Sequence, residues 1–448
     1  MHKFYFKTNR MKKLIFVFAL AVLAAVSFST AHAQTSGDAP FVPSGKFSMQ
    51  FFADYDYMLA ADTGGMKTSS VPKGGTYYTP IDPKNANGQG NIWQKFYQAF
   101  DIRRVYLGYD YQMSKDVSAQ LLLSHENGTL INNATILTTG TTATYDSVKK
   151  TVTIVPGKTT ATLPTSSSGD IVLDGNRGLY LKAANVQFKN WIPMSTVIFG
   201  QQGTAVFGVA EALWGYRSIE KTVGDMRGIA QSNDLGIQLK GNFDPEKAYS
   251  YSVMISNGNG AKQENDKFKK VAIDLNGGFL DKHLWVDAYF DIMGHSDSSN
   301  NTTIKLTAGY TMDIFTVGLE YAMQTLAKQS TAIQTTNTQT DATPTGISIF
   351  ARASLIDKQL MVFARYDMYD PDSKATGSNI TNSAAASWKE NFIVAGLDWQ
   401  PDASVNAHIM PNIWMNTYKD KSTGTTALPV ITDRAGVTVA RMTFAYKF

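Results

Sequence analysis

Hydrophobic and polar residues alternate with a period of two along much of the chain. Between Lys46 and Ala60 the odd positions are apolar or aromatic, from Phe47 to Leu59, whereas the even positions include Ser48 and Gln50. The same alternation recurs further along, at 284–292, 304–310, 315–323 and 360–368. Because successive strand residues point to opposite faces, this pattern predicts β-strands with one apolar face and one polar face.

About sixteen segments carry this pattern. They lie near 46–60, 96–112, 116–125, 178–190, 194–203, 231–242, 247–257, 268–279, 283–295, 302–312, 313–325, 345–356, 358–369, 389–400, 403–418 and 434–448. An even number of strands of roughly ten residues is typical of a closed barrel in an outer membrane, where no backbone edge stays unpaired. We therefore expect an all-β fold, a transmembrane antiparallel β-barrel of about sixteen strands.

The connections between these segments alternate in length. Short links such as 113–116 and 280–282 are followed by long polar ones such as 325–345. This alternation predicts short periplasmic turns and long extracellular loops. The Thr/Ser-rich loop 126–177, whose role stays open, contains a predicted hairpin in which Thr151–Val155 pairs with 158–163.

Composition agrees with a barrel. Charged residues make up 17% of the chain, below the roughly 25% usual for soluble domains. The absence of cysteine excludes a disulfide scaffold, a thiol-ligated metal and a cysteine nucleophile. The net charge is +4, but the first 33 residues hold five basic residues and no acid, so the remainder carries about −1. This near-neutral balance does not support nucleic-acid binding.

Residues 1–33 have the parts of a secretory signal peptide. A basic cluster precedes the apolar run Leu14–Phe28, and Ala31 and Ala33 form a small-x-small cleavage site. We expect cleavage before Gln34, which leaves 34–448 as the barrel. A membrane anchor is the less favoured alternative, because the run is shorter than the roughly 20 residues of a spanning helix.

The chain ends on an apolar stripe that finishes with an aromatic residue: Ala440, Met442, Phe444, Tyr446 and Phe448. This stripe resembles the C-terminal signal that the barrel-assembly machinery reads in Gram-negative outer-membrane proteins. A terminal strand of a soluble β-sandwich is the alternative. The preferred interpretation places the protein in the cell outer membrane, in contact with its lipid.

Three further stretches resemble the phosphate-selective porin O and P family. They are FDIRRVYLGYDYQMSKDVSAQLLL at 100–123, the region 179–260 with VIFGQQGTAVFG and EALWGYRSIEKT, and FARYDMYDPD with VAGLDWQPDASVNAHIMPNIW between 363 and 414. The resemblance implies an outer-membrane porin, usually a homotrimer, with a constricting loop folded into the pore. It does not imply phosphate selectivity, because many members lack the basic ladder that confers it.

The predicted constriction is the loop 204–230, which has helical character. Its charged residues are Glu211, Arg217, Glu220, Lys221, Asp225 and Arg227. If the loop folds inward, the three basic residues would face the three acids and create a transverse field. Alternatively, these charges pair with one another or with the barrel wall and only tether the loop, since opposite charges three to four residues apart on a helix are neighbours.

On the strands, the alternation places a mixed set of charges inside the barrel. These are Arg104, Lys240, Lys305, Arg352 and Arg365, together with Asp287, Glu320, Asp367 and Asp398. A basic residue at mid-membrane avoids the lipid face, where it would cost about 2–4 kcal/mol. Because neighbours point to opposite faces, either Arg103 or Arg104 must face outward, or a bulge must intervene.

These features predict a porin through which small hydrophilic solutes and ions diffuse passively, with weak ion preference. The alternatives are a substrate-specific channel for phosphate or another anion, and a plugged barrel that acts in surface adhesion. Passive diffusion needs no catalytic residue and no cofactor, and we expect none. An enzyme is not supported, because the four histidines beyond residue 34 lie apart and form no motif: His125, His283, His295 and His408.

Overall fold

Sixteen strands close into one barrel in a computed structural model of the chain. The structure describes residues 41–60, 98–126, 142–146, 151–155, 179–296, 298–330, 334–335, 338–357, 359–377, 380, 388–421 and 436–448. The barrel strands are β1 Ser44–Ala60, β2 Gln98–Gln112, β3 Val117–Glu126, β4 Tyr180–Lys189, β5 Ser195–Gly203, β6 Asn233–Asn242, β7 Tyr249–Ser256, β8 Lys270–Phe279, β9 Leu284–Ser296, β10 Ser299–Met312, β11 Phe315–Thr325, β12 Thr345–Ile356, β13 Leu360–Asp370, β14 Trp388–Trp399, β15 Ala407–Asp420 and β16 Val437–Lys447.

Each barrel strand pairs antiparallel with its neighbour in sequence, and β16 pairs with β1 to close the sheet. The C-terminal residue takes part in this closure, because Phe448 and Met49 exchange two backbone hydrogen bonds of 3.1 Å. The sixteen-stranded antiparallel barrel predicted from the alternation is confirmed. The predicted signal peptide, 1–33, lies outside the described residues.

Side-chain exposure follows the alternation of the sequence. In β9, Val286 and Phe290 are 40% and 44% exposed, whereas Asp287 and Asp291 are 1% and 5% exposed. The apolar residues therefore cover the outside of the barrel and the charged residues face its interior. An apolar outer surface of this kind is suited to lipid, since a closed sheet leaves no unpaired backbone group to solvate.

A β-bulge decides the orientation of the paired arginines. The register between β1 and β2 runs Phe52↔Arg104 and then Ala53↔Ile102, so that Arg103 is an extra residue. Both arginine side chains consequently point into the barrel, and both are 0% exposed. Of the two possibilities that the sequence left open, the structure shows the bulge.

The two barrel ends differ in their connections. One end, called the turn end, holds short links such as 113–116 and 313–314, and the other, called the loop end, holds long ones such as 326–344. The predicted alternation has an exception, because only 297–298 joins β9 to β10 at the loop end. The strand Thr151–Val155 pairs with Thr142–Asp146, so the hairpin predicted with 158–163 was wrong about its partner.

Turn chemistry explains the tight link between β6 and β7. The carboxylate of Asp244 accepts hydrogen bonds of 2.7 Å from the backbone N–H groups of Ala248 and Tyr249. These bonds stabilise the ionised form and lower the pKa of the Asp244 carboxyl below its ordinary value. An ionised aspartate thereby closes the turn and sets the register of the two strands.

Replacing Leu306 with arginine is expected to destabilise the barrel by about 2–4 kcal/mol, because this outward residue, 49% exposed, lies in the middle of β10. The measurement is reversible denaturant unfolding in lipid vesicles. Gln187→Arg is the matched control, since Gln187 lines an interior cavity and should accept the charge at little cost. Equal losses at both positions would overturn the assignment of the two barrel faces.

Candidate functional site

The link between β5 and β6, residues 204–232, folds into the barrel and is called the constriction loop. It contains two short helices, α1 Gly208–Trp214 and α2 Val223–Met226. Helix α1 ends at Gly215, whose φ of 73° is left-handed and whose missing Cβ leaves room for the guanidinium of Arg352. Among the described residues, none of the helices is long and apolar enough to cross a membrane.

An apolar face of the constriction loop packs against the inside of the barrel. Trp214, 1% exposed, lies edge-on to Phe350 and Phe363 with ring centroids 5.7 Å and 6.0 Å away. Tyr216 packs against Phe363 with ring centroids 4.3 Å apart and an interplanar angle of 32°, and Ile219 is completely buried. The loop is thus held by a hydrophobic cluster inside the lumen, an arrangement that sequence analysis missed. The sequence does contain a signal for this cluster. Large apolar residues such as Phe363 stand at positions of β12–β16 that the alternation assigns to the polar, inward face.

A second apolar contact holds the start of the loop on the other side of the barrel. Val206 and Phe207 pack with Met254, Ala272 and Tyr289 on β7, β8 and β9. The loop therefore bridges opposite walls of the lumen. This bridging narrows the interior at the depth where the loop crosses it.

Wall arginines bind the backbone of the constriction loop. Arg103 donates to the carbonyl oxygens of Ser218 and Ile219, the latter at 2.5 Å. Arg104 donates to the carbonyl of Arg217 at 2.8 Å. These guanidiniums are buried and have carboxylate partners, with Asp54 2.5 Å from Arg103 Nε. They act as clamps on loop carbonyls, a use for which the planar, multi-donor guanidinium is well suited.

Further contacts from β11–β14 complete the attachment. Arg365 donates to the carbonyl of Lys221 at 2.5 Å, and Arg352 donates to that of Ala212 at 3.4 Å. The carboxylate of Glu320 accepts a hydrogen bond of 3.3 Å from the backbone N–H of Gly224. The loop residue Arg227 contacts Glu390 of β14, with 2.6 Å between Nη2 and Oε1.

A second group of charges is more accessible to water and is called the charged rim. Its members are Glu126 of β3, Lys182 of β4, and Glu211, Arg217, Lys221 and Asp225 of the constriction loop. The side chains of Arg217 and Glu211 are 21% and 29% exposed, whereas those of Arg104 and Glu220 are both 0% exposed. Three cations and three anions make up the rim, so its charge is balanced.

Hydrogen bonds and ion pairs link the two sides of the charged rim. Lys221 Nζ lies 2.8 Å from Glu126 Oε2, and Arg217 Nη1 donates to the hydroxyl of Tyr106 at 2.6 Å. That hydroxyl donates in turn to Glu126 at 2.9 Å. Arg217 Nε also lies 2.6 Å from Glu211. These loop charges are paired with one another and with the barrel wall, as in the second of the two interpretations, and the transverse field stays a prediction.

The remaining predicted lumen residues lie elsewhere on the wall. Lys305 is 2.6 Å from Asp287 and completely buried. Lys240 lines a cavity of about 700 Å³ that runs along β1–β6 from the turn end to Thr204, where the constriction loop begins. The structure therefore separates the predicted residues into loop clamps, rim charges, a buried ion pair and a cavity residue.

Asp372, two residues beyond the end of β13, has a structural role. Asp372, 0% exposed, accepts hydrogen bonds from the hydroxyl of Ser330 at 2.6 Å and the backbone N–H of Thr343 at 3.1 Å. It ties together two stretches of the loop end. In the part of the chain that the structure describes, no group of three or more His, Asp or Glu residues is placed to hold a metal ion.

Comparison with solved structures identifies the architecture as that of outer-membrane porins and channels. The chain is similar to the outer membrane channel DcaP of Acinetobacter baumannii, with 8% identity, a TM-score of 0.55, and coverage of 92% of this chain and 99% of that chain. It is also similar to OmpT of Vibrio cholerae, with 10% identity, a TM-score of 0.51 and coverage of 92% and 99%. It is similar as well to an anion-selective porin from Comamonas acidovorans, with 9% identity, a TM-score of 0.50, and coverage of 91% of this chain and 100% of that chain.

At this level of identity the likeness concerns the fold. No family model matches the chain, and no curated protein matches it either. The resemblance to phosphate-selective porins O and P thus depends on the sequence segments described above.

Proposed function

We propose that this chain is an outer-membrane porin that lets small hydrophilic solutes and ions diffuse passively through the barrel. The observation that carries the proposal is the charged rim, where Arg217 and Glu211 of the constriction loop, 21% and 29% exposed, lie inside a closed barrel. A diffusion channel needs a hydrated lumen with charges at its narrowest point. The cavity of about 700 Å³ below the loop supplies further polar space.

Export and assembly follow from features at the two chain ends. Residues 1–33 would direct the chain through the general secretory route and be removed before Gln34. The aromatic C-terminal strand would be recognised by the barrel-assembly machinery, and Phe448 then pairs with β1. The family resemblance supports a homotrimer in the outer membrane.

The arrangement of the basic residues supports weak ion preference. A phosphate-selective channel would need free basic residues at its constriction, but Arg103, Arg104 and Arg365 bind loop carbonyls there and are neutralised by carboxylates. The charged rim contributes equal numbers of both signs. A general porin of the phosphate-selective porin family is therefore favoured over a channel specific for phosphate.

A plugged barrel that acts in surface adhesion is the second candidate. It is favoured by the depth at which the loop is packed, since Trp214, Ile219 and Val223 are almost inaccessible inside the lumen. Conductance separates the two functions, because a plugged barrel does not conduct.

The test is single-channel recording of the purified, heat-modifiable protein in planar bilayers. Stepwise openings that added phosphate leaves unchanged are expected for the general porin. Block at low phosphate concentration would instead establish the specific channel. Absence of conductance from correctly folded protein would overturn both channel proposals and support the plugged barrel.

Replacing Lys221 with glutamine is expected to shift the ion preference towards cations. The change removes one rim cation and leaves Glu126 and Asp225, which lie 2.8 Å and 3.8 Å from its ammonium group, with less compensation. The permeability ratio of potassium to chloride should rise about twofold, as measured from reversal potentials in a salt gradient. Asp225→Asn should shift the ratio in the opposite direction.

Lys115→Gln serves as the control for this measurement, because Lys115 is exposed in a turn outside the barrel lumen. Its reversal potential should equal that of the wild type. An unchanged ratio in both rim variants would show that ions do not pass the charged rim.

A further inference from the structure

The cavity at the turn end has a lining that differs from the rest of the lumen. Its volume of about 700 Å³ lies within the range of roughly 300–1,000 Å³ that is typical of small-molecule sites. Among the described residues that line it, three are lysines, Lys46, Lys189 and Lys240, and one is an acid, Asp110. The cavity therefore carries an excess of positive charge, whereas the charged rim above it is balanced.

The state of these lysines distinguishes them from the buried cations of the lumen. Lys305 and Lys270 are each paired with an aspartate, at 2.6 Å and 2.8 Å. Among the described residues, none of the three cavity lysines forms an ion pair with a carboxylate, and Lys189 donates only to the amide oxygen of Gln112, at 3.0 Å. Their ammonium groups are thus available to an anion that enters the cavity.

Side-chain amides occupy the wall between the lysines. Gln187 donates to Asn185 at 3.0 Å, Asn185 donates to Gln120 at 3.3 Å, and Gln120 donates to Asp110 at 3.1 Å. This chain of hydrogen bonds orients the amides along the wall and ends on Asp110. Amides both donate and accept hydrogen bonds, so they suit hydroxyl groups of a solute, which do the same.

We propose that the turn-end cavity is a binding site for a small hydroxylated carboxylate, a sugar acid being the simplest example. Lys189 and Lys240 would bind the carboxylate, and the amides of Gln120, Asn185 and Gln187 would bind its hydroxyl groups. The inference deepens the proposed porin function, because the site lies where a solute that has passed the constriction loop would arrive. It adds solute discrimination by weak binding to diffusion through the lumen.

The test is equilibrium binding to the folded full-length barrel in detergent, with galacturonate as the probe and saturation-transfer NMR as the readout. Galactose, which lacks the carboxylate, and acetate, which lacks the hydroxyls, are the matched probes. Galacturonate should bind about tenfold more tightly than either, since charge-assisted hydrogen bonds and hydroxyl contacts both contribute. Acetate binding as tightly as galacturonate would refute the role of the amides.

The variant Lys189→Gln/Lys240→Gln should raise the dissociation constant of galacturonate about tenfold and leave that of galactose unchanged. Asp110→Asn should lower the dissociation constant of galacturonate, because a carboxylate that lines the cavity is removed. Lys115→Gln, at the same end but outside the cavity, is the control. Unchanged galacturonate binding in the double variant, with its heat-modifiable mobility retained, would overturn the proposal.

The binding site and the porin function can be refuted separately. Wild-type channels that conduct but do not bind galacturonate would refute the site and leave the porin function standing. Galacturonate binding without conductance would refute the porin function and retain the site.

Discussion

Single-channel conductance should rise about twofold when Arg103 and Arg104 are both replaced by methionine. The two guanidiniums bind the carbonyl oxygens of Arg217, Ser218 and Ile219, and methionine retains the apolar part of each side chain without these donors. The loop segment that crosses the lumen then loses its attachment to β2. Because this segment narrows the lumen, its release should widen the permeation path.

The removal of two buried cations also leaves two carboxylates without their main partners, which is costly by itself. Adding Asp54→Asn and Glu220→Gln to the double variant neutralises both carboxylates and separates the two effects. The quadruple variant should keep the raised conductance and recover stability against denaturant. Conductance at the wild-type level in both variants would show that the arginine clamps do not hold the loop in place.

Cleavage of the constriction loop by trypsin should accelerate by at least about a hundredfold in Trp214→Ala. The Trp214 side chain is 1% exposed, contacts Phe350 and Phe363, and donates from Nε1 to the carbonyl of Glu220 at 2.9 Å. Loss of a buried tryptophan of this kind costs about 3–5 kcal/mol, here against loop docking and not against barrel closure. Arg217 and Lys221 then become accessible cleavage sites, while the barrel keeps its heat-modifiable mobility.

Trp399→Ala is the matched control, because Trp399 is 48% exposed on the outer surface of the barrel. It should leave the rate of loop cleavage unchanged. If Trp214→Ala is cleaved no faster than this control, the apolar cluster is not the anchor of the loop.

The barrel strands could be predicted from the sequence because their signal is local. Each strand separates an apolar outside from a polar inside, so its own residues alternate, and segments such as 268–279 and 345–356 differ from the observed strands by at most two residues. The inward orientation of Lys305 and Glu320 follows from the same alternation. The partners of Lys305 and Glu320 do not follow from the alternation, because pairing depends on which strands become neighbours.

The wall arginines that hold the constriction loop could not be predicted either, because their contacts also depend on which strands become neighbours. Adjacent arginines at 103 and 104 face one side only because the register between β1 and β2 shifts at Phe52. The attachment of Ile219 to Arg103 joins residues far apart in sequence, which only the closed barrel brings together.

The sequence by itself determined the strand number and the closed antiparallel barrel. The inward folding of loop 204–230 was only an expectation that the family resemblance implied. Period-two alternation and turn composition depend on residues that are neighbours in sequence, so both can be recognised without knowing the tertiary structure. The tertiary structure alone decided which charges hold the loop, which form the charged rim, and which lysines at the turn end have no carboxylate partner among the described residues. Those roles depend on distances between residues on different strands, and such distances exist only once the barrel is closed.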